Sequence, residues 1–195
     1  MRLSKVCMGC ALVLFLTGAI APTNAEANPS IRDIVLLTAA LAGWAGTHPA
    51  QVPQGNNSYA FSAGVFDRVD RVKQTWSFGM ERRWGHFLVW RLKPFIGADL
   101  TGRRSAYVYG GLRLDLHLFP RFSVVPNFAV ANYFHGDGKR LGSVIEFRSG
   151  MDLEWRFPGG ERLGITYHHL SHWIFFGSNN PGTEVLALTF STPLH

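Results

Sequence analysis

From Ser58 onward, apolar and polar side chains alternate in short runs, separated by connections rich in glycine, proline and charge. A period of two puts successive side chains on opposite faces of a strand. The alternation is cleanest in Leu112-Arg113-Leu114-Asp115-Leu116-His117-Leu118, where one face is leucine and the other is mostly charged. Ile145, Phe147, Met151, Leu153, Trp155 and Phe157 likewise alternate with Glu146, Arg148, Asp152, Glu154 and Arg156. Trp90, Leu92 and Ile96 alternate with Arg91, Lys93 and Asp99, and Trp76, Phe78 and Met80 with Ser77, Gly79 and Glu81. Weaker runs at Tyr59 to Val65 and Phe122 to Val130, together with Leu163 to Ser171 and Glu184 to Phe190, complete a predicted set of eight strands.

Connection lengths decide which face is which. Those at Asp67 to Val72, Thr101 to Ser105, His135 to Gly142 and Trp173 to Thr183 are long, and those at Trp84 to His86, Phe119 to Arg121 and Pro158 to Gly160 are tight. A soluble sandwich, with the apolar parity as its core, is the competing reading. Long and tight connections in alternation instead predict an all-β, eight-stranded antiparallel up-and-down transmembrane β-barrel, with short periplasmic turns and longer external loops. Leu112, Leu114, Leu116, Phe147, Leu153 and Leu188 then face lipid, and Arg113, Asp115, Glu146 and Asp152 face the lumen. A barrel of eight strands is filled by its own side chains, which argues against a transport pore.

The chain before the strands supports export. Residues 1–25 carry Arg2 and Lys5, an apolar run from Ala11 to Ala21 and small residues after it, the pattern of a signal peptide cleaved after Ala25 or Ala27. Residues 26–57 form an N-terminal segment and linker, with a short helix expected at 31–46, and residues 58–195 form the barrel. An exported barrel of this kind belongs in the outer membrane of a Gram-negative cell. Both cysteines, Cys7 and Cys10, lie in the leader, so the mature chain has no thiol for a disulfide or for catalysis. The formal net charge is +6, but its cations lie in loops rather than along one groove, which excludes nucleic acid as a partner. The histidines show no metal-ligand spacing, so no metal is expected.

One pair of strands carries candidate chemistry. Leu163, Ile165, Tyr167, His169 and Ser171 share a parity, and Glu184 shares one with Leu186, Leu188 and Phe190. If the two strands pair as a hairpin, Glu184 falls opposite Ser171 and diagonal to His169, within reach of both. A hydroxyl, an imidazole and a carboxylate so placed fit a nucleophile, its base and the acid that orients the base. They fit equally a polar rim where strands meet water.

These residues resemble the outer-membrane lipid A 3-O-deacylases, whose motif is His-x-Ser followed by Asn-x-Gly-x-Glu. The matching positions are His169-Leu170-Ser171 and Asn180-Pro181-Gly182-Thr183-Glu184. The resemblance implies a serine esterase that removes the 3-O-linked 3-hydroxyacyl chain of lipid A, without a cofactor, with lipopolysaccharide as its substrate. It carries the catalytic roles onto Ser171, His169 and Glu184. His172 stands where the family usually has Asn near the oxyanion site, and the loop before Glu184 is one residue longer, so Asn180, His172 and Gly182 are the candidates for the oxyanion and for positioning substrate. Loop residues Arg103, Arg104 and Arg140 suit the phosphates of lipid A as a group. A non-catalytic structural or adhesion barrel is the alternative, as is another lipid-modifying barrel, a phospholipase or an acyltransferase.

Overall fold

A computed structural model describes residues 54–89, 91–172 and 180–194, and before them only Leu36, Ala40, Gly43, Trp44 and Thr47, which are helical. The predicted leader lies outside the described residues. Strand β1 (Ser58–Phe66) is followed by β2 (Thr75–Arg83), β3 (Lys93–Thr101), β4 (Ala106–Arg113), β5 (Leu116–Phe119), β6 (Phe122–Phe134), β7 (Ile145–Arg156), β8 (Arg162–Ser171) and β9 (Thr183–Pro193). All pairings are antiparallel, β1 pairs with β9, and β4 and β5 both pair with β6. The sheet therefore closes on itself and leaves no free edge.

β4 and β5 form one stave of this eight-stranded barrel. Their pairing to β6 keeps the same register on both sides of the break, from Arg113 opposite Asn127 to Leu116 opposite Val124. The interruption lies where Leu114 meets Pro126: Leu114 N–H donates to Pro126 O at 3.0 Å, but Pro126 has no N–H to return the bond.

The outer wall is apolar as the alternation predicts, with Phe61, Trp76, Phe78, Ile96, Leu153 and Leu188 all exposed. Leu114 and Leu116 depart from the expected exposed row, being 3% and 0% exposed. They keep the outward parity but flank the Pro126 break, with Leu116 opposite Val124, which is buried as well. A second departure is the connection after β2. Instead of a tight turn at Trp84 to His86, the next strand begins only at Lys93, with an isolated bridge between Val89 and Leu92; the predicted strand residue Trp90 lies outside the described residues. Leu92 therefore precedes β3, and the alternation predicted from Trp90 onward begins ahead of the strand.

Burying charges in the lumen is costly unless they are paired, and clusters about Arg83, Arg148 and Asp115 supply that pairing, whereas neither carboxylate oxygen of buried Glu146 has a hydrogen-bond partner among the described residues. Arg83 meets Glu81 at 2.6 Å, Glu154 at 2.6 Å and Asp152 at 3.1 Å. Arg148 reaches Glu81 at 3.2 Å and lies 4.7 Å above the centre of the Tyr109 ring. Asp115 accepts from Lys93 at 3.0 Å and pairs with Arg113 at 3.1 Å. Side chains fill the interior as an eight-stranded barrel demands.

The external end is closed by loops. The β6–β7 connection crosses the mouth, and Lys139 Nζ donates to Asp67 Oδ1 at 3.0 Å and to Asp70 Oδ2 at 2.5 Å in the β1–β2 connection on the far side. Tyr133 OH holds the backbone of the same loop by donating to Lys139 O at 2.8 Å. Burial alone would lower the Lys139 pKa, but the hydrogen bonds to Asp70 and Asp67 outweigh it and raise it above the ordinary lysine range.

Candidate active site on the outer wall

Strand β8 carries two adjacent histidines, and the pleat sends them to opposite sides. His168 points into the lumen, where its Nε2 lies 3.1 Å from the Tyr107 hydroxyl. His169 shares the outward parity of Leu163 and Ile165, both exposed. Across β9 its partner is Glu184, with Nδ1 3.0 Å from Glu184 Oε1. A carboxylate in this place accepts from Nδ1–H, and the neutral imidazole tautomer that donates so keeps its lone pair on Nε2, the arrangement a general base needs.

The observed register corrects the predicted one. Glu184 lies directly opposite His169, not opposite Ser171. Orientation of the imidazole thus comes from the nearest cross-strand neighbour instead of a diagonal one, a tighter arrangement than expected. Ser171 follows on the same face, two positions closer to the external rim and opposite Phe147 of β7. On the other flank of His169 lies Ser149, a second hydroxyl that sequence reading missed because it belongs to β7.

Although they have outward parity, His169 and Glu184 are 8% and 4% exposed. Glu184 Oε2 is covered and has no hydrogen-bond partner among the described residues. Part of the cover is Gly182. Its backbone is left-handed, with φ 55°, and a Cβ added there would stand 2.6 Å from His169 Cε1 and 2.9 Å from Nε2. Only glycine satisfies both conditions, so the glycine of the motif allows the chain to lie against the imidazole edge.

Asn180 is anchored at its carboxamide oxygen: Oδ1 accepts from the His172 N–H at 3.2 Å. The amide that follows Ser171 is therefore occupied, and the His172 side chain is itself buried. Arg103 and Arg104 lie on the β3–β4 connection, four staves from the β8–β9 connection in either direction, and so across the barrel from His169. Arg140 is a quarter of the circumference from the site. Asp137 of the β6–β7 loop donates its N–H to Arg103 O at 2.9 Å, so the three arginines do belong to two loops that touch. Arg68 adjoins the site through its backbone, its N–H donating to Glu184 O at 3.1 Å.

The family model for "Lipid A 3-O-deacylase (PagL)" matches residues 57–193. The chain belongs to this deacylase family. The barrel superposes on the crystal structure of the outer membrane enzyme PagL with a TM-score of 0.57 at 14% identity, covering 70% of this chain and 99% of that one. A de novo designed transmembrane β-barrel matches with a TM-score of 0.52 at 10% identity, covering 73% of this chain and 99% of the other. No curated protein matches by sequence. A deacylase-family barrel that superposes on an outer-membrane enzyme is itself an outer-membrane β-barrel, and its apolar wall faces lipid.

Proposed function

We propose that this deacylase-family barrel hydrolyses the ester at the glucosamine 3-position of lipid A, with Ser171 as nucleophile, His169 as base and Glu184 as orienting acid. The observation that carries the reading is the His169 Nδ1 to Glu184 Oε1 bond on the lipid-facing wall. A base on that wall, near the external rim, meets acyl chains of the outer leaflet without extracting them into water.

In the proposed cycle His169 Nε2 takes the Ser171 hydroxyl proton as Oγ bonds to the acyl carbonyl carbon. The tetrahedral intermediate collapses by breaking the bond to the sugar oxygen, which leaves as an alcohol carrying the proton from His169. Water, deprotonated by the same imidazole, then cleaves the acyl-enzyme and releases a 3-hydroxy fatty acid. The Glu184 carboxylate orients the ring through Nδ1 and stabilises the imidazolium as it forms. The Asn180 carboxamide, anchored through Oδ1 on the His172 amide, supplies its Nδ2 group to the developing oxyanion.

Mass spectrometry of lipid A from Gram-negative cells producing the protein tests this. The wild-type barrel should remove one 3-hydroxyacyl unit, and Ser171→Ala should not. Unchanged lipid A in the presence of a folded wild-type barrel would refute deacylation, and a gained acyl chain would point to a transferase. Activity lost in Ser149→Ala but kept in Ser171→Ala would move the nucleophile to β7.

A further inference from the structure

Asp67 is a buried carboxylate, 0% exposed, which the proposed chemistry does not use. It follows the last residue of β1 and adopts a left-handed backbone, with φ 57°, uncommon for a residue other than glycine. Such a conformation persists where the surroundings over-determine it. Here Asp67 Oδ2 accepts the Lys73 N–H at 2.6 Å, and Oδ1 accepts from Lys139 Nζ at 3.0 Å and lies 3.5 Å from Thr183 Oγ1. One carboxylate thus joins the β1–β2 connection, the loop that crosses the mouth and the first residue of β9.

The two neighbours of these contacts lead to the site. Thr183 precedes Glu184, and Arg68, which follows Asp67, donates its N–H to Glu184 O at 3.1 Å. Glu184 is therefore gripped on its backbone from the Asp67 side while its carboxylate holds His169. Beyond this backbone grip, its Oε2 has no partner among the described residues to hold the carboxylate in place.

We infer that Asp67, clamped by Lys139, is a positioning residue: it sets the place of Glu184 and through it the orientation of His169. This rests on the proposed triad. Asp67 touches no reacting atom, so it acts on the rate of the chemical step and not on substrate binding. A misplacement of about 1 Å in a catalytic group costs on the order of 100-fold.

The test uses the full-length barrel purified in detergent, with lipid A in mixed micelles. Asp67→Asn should lower kcat by about 10- to 100-fold and leave KM within about twofold. In a Glu184→Ala background the same substitution should have no further effect on kcat, because the route through Glu184 is already cut. Proton NMR gives a readout independent of turnover. The downfield resonance of the His169 Nδ1–H, present in the wild type and absent in Glu184→Ala, should shift or broaden in Asp67→Asn. Wild-type kcat, full additivity with Glu184→Ala or an unmoved resonance would each overturn the inference. Ser171→Ala and His169→Ala run alongside separate the two levels: if either retains activity the triad is wrong, whereas if both lose it and Asp67→Asn does not, only the positioning role fails. Should Asp67→Asn lack the heat-modifiable mobility of a folded barrel, Lys139→Gln, which leaves Asp67 in place without its cation, carries the same expectations and is overturned by the same outcomes.

Discussion

Replacing Arg83 by Met tests whether the charged parity fills the barrel. Arg83 binds three carboxylates, and the effect of its loss depends on what each retains. Glu81 keeps Arg148 at 3.2 Å and the Tyr109 hydroxyl at 3.0 Å, and Glu154 keeps Arg162 at 2.8 Å. Asp152 keeps only neutral donors, Thr166 Oγ1 at 2.6 Å and Asn127 Nδ2 at 3.4 Å. The substitution therefore strands one buried charge, and the expected loss is about 3–5 kcal/mol of unfolding free energy. Arg82, its neighbour, is the control. It faces outward beside the Tyr59 and Trp84 rings, at 5.1 Å and 5.8 Å from their centres, and Arg82→Met should cost only about 0.5–1 kcal/mol. Urea unfolding in lipid vesicles, followed by tryptophan fluorescence and gel mobility, measures both. Asp152→Asn in the Arg83→Met background should recover more than about 1 kcal/mol, because the stranded charge is gone. A smaller loss for Arg83→Met than for Arg82→Met, or no recovery in the double variant, would refute the assignment of faces.

Other expectations follow from single contacts. Gly182→Ala should reduce kcat by about 100-fold with the barrel intact, since the new Cβ meets the His169 ring and the backbone there is left-handed; steady-state kinetics and gel mobility decide it. His169→Ala should remove most of the rate and His168→Ala, facing the lumen, little of it, and the reverse result would invert the parity of β8. The raised Lys139 pKa gives a pH dependence with a definite sign. Folding favours its charged form, so the clamp's contribution is fully present below the unfolded value of 10.5 and is lost as pH rises through the higher folded value. Proteolysis of the external loops should accelerate in that range for the wild type, and the acceleration should be absent in Lys139→Met.

What alternation encodes is parity, and parity was legible. Outward Leu188 and Ile165, inward Asp152 and Glu146, and the opposed directions of His168 and His169 all follow from a period of two. Register is a different quantity. It depends on where a hairpin closes, and the stretch 173–182 is too long for its Asn180-Pro181-Gly182 turn signal to fix that point, so Glu184 was expected opposite Ser171 and stands opposite His169. Alternation also runs past strand ends, which is why Leu92 and Lys93 suggested a strand starting too early, and it does not register that Pro126 interrupts the ladder beside Leu114.

The contacts that complete the site come from the loops, some of them distant in sequence, and each participant looks ordinary locally. Lys139 reads as a solvated loop lysine until its loop is seen to cross the mouth to Asp67. Gly182 reads as a turn residue until the imidazole is found against it. Asn180 and His172 reads as separate oxyanion candidates until one is found holding the other's amide. A motif can name the residues that do chemistry because their types are constrained by that chemistry. The residues that hold them in place are constrained by where the loops go, and in this barrel those contacts gather at the external mouth, where Asp67, Lys139 and Thr183 meet.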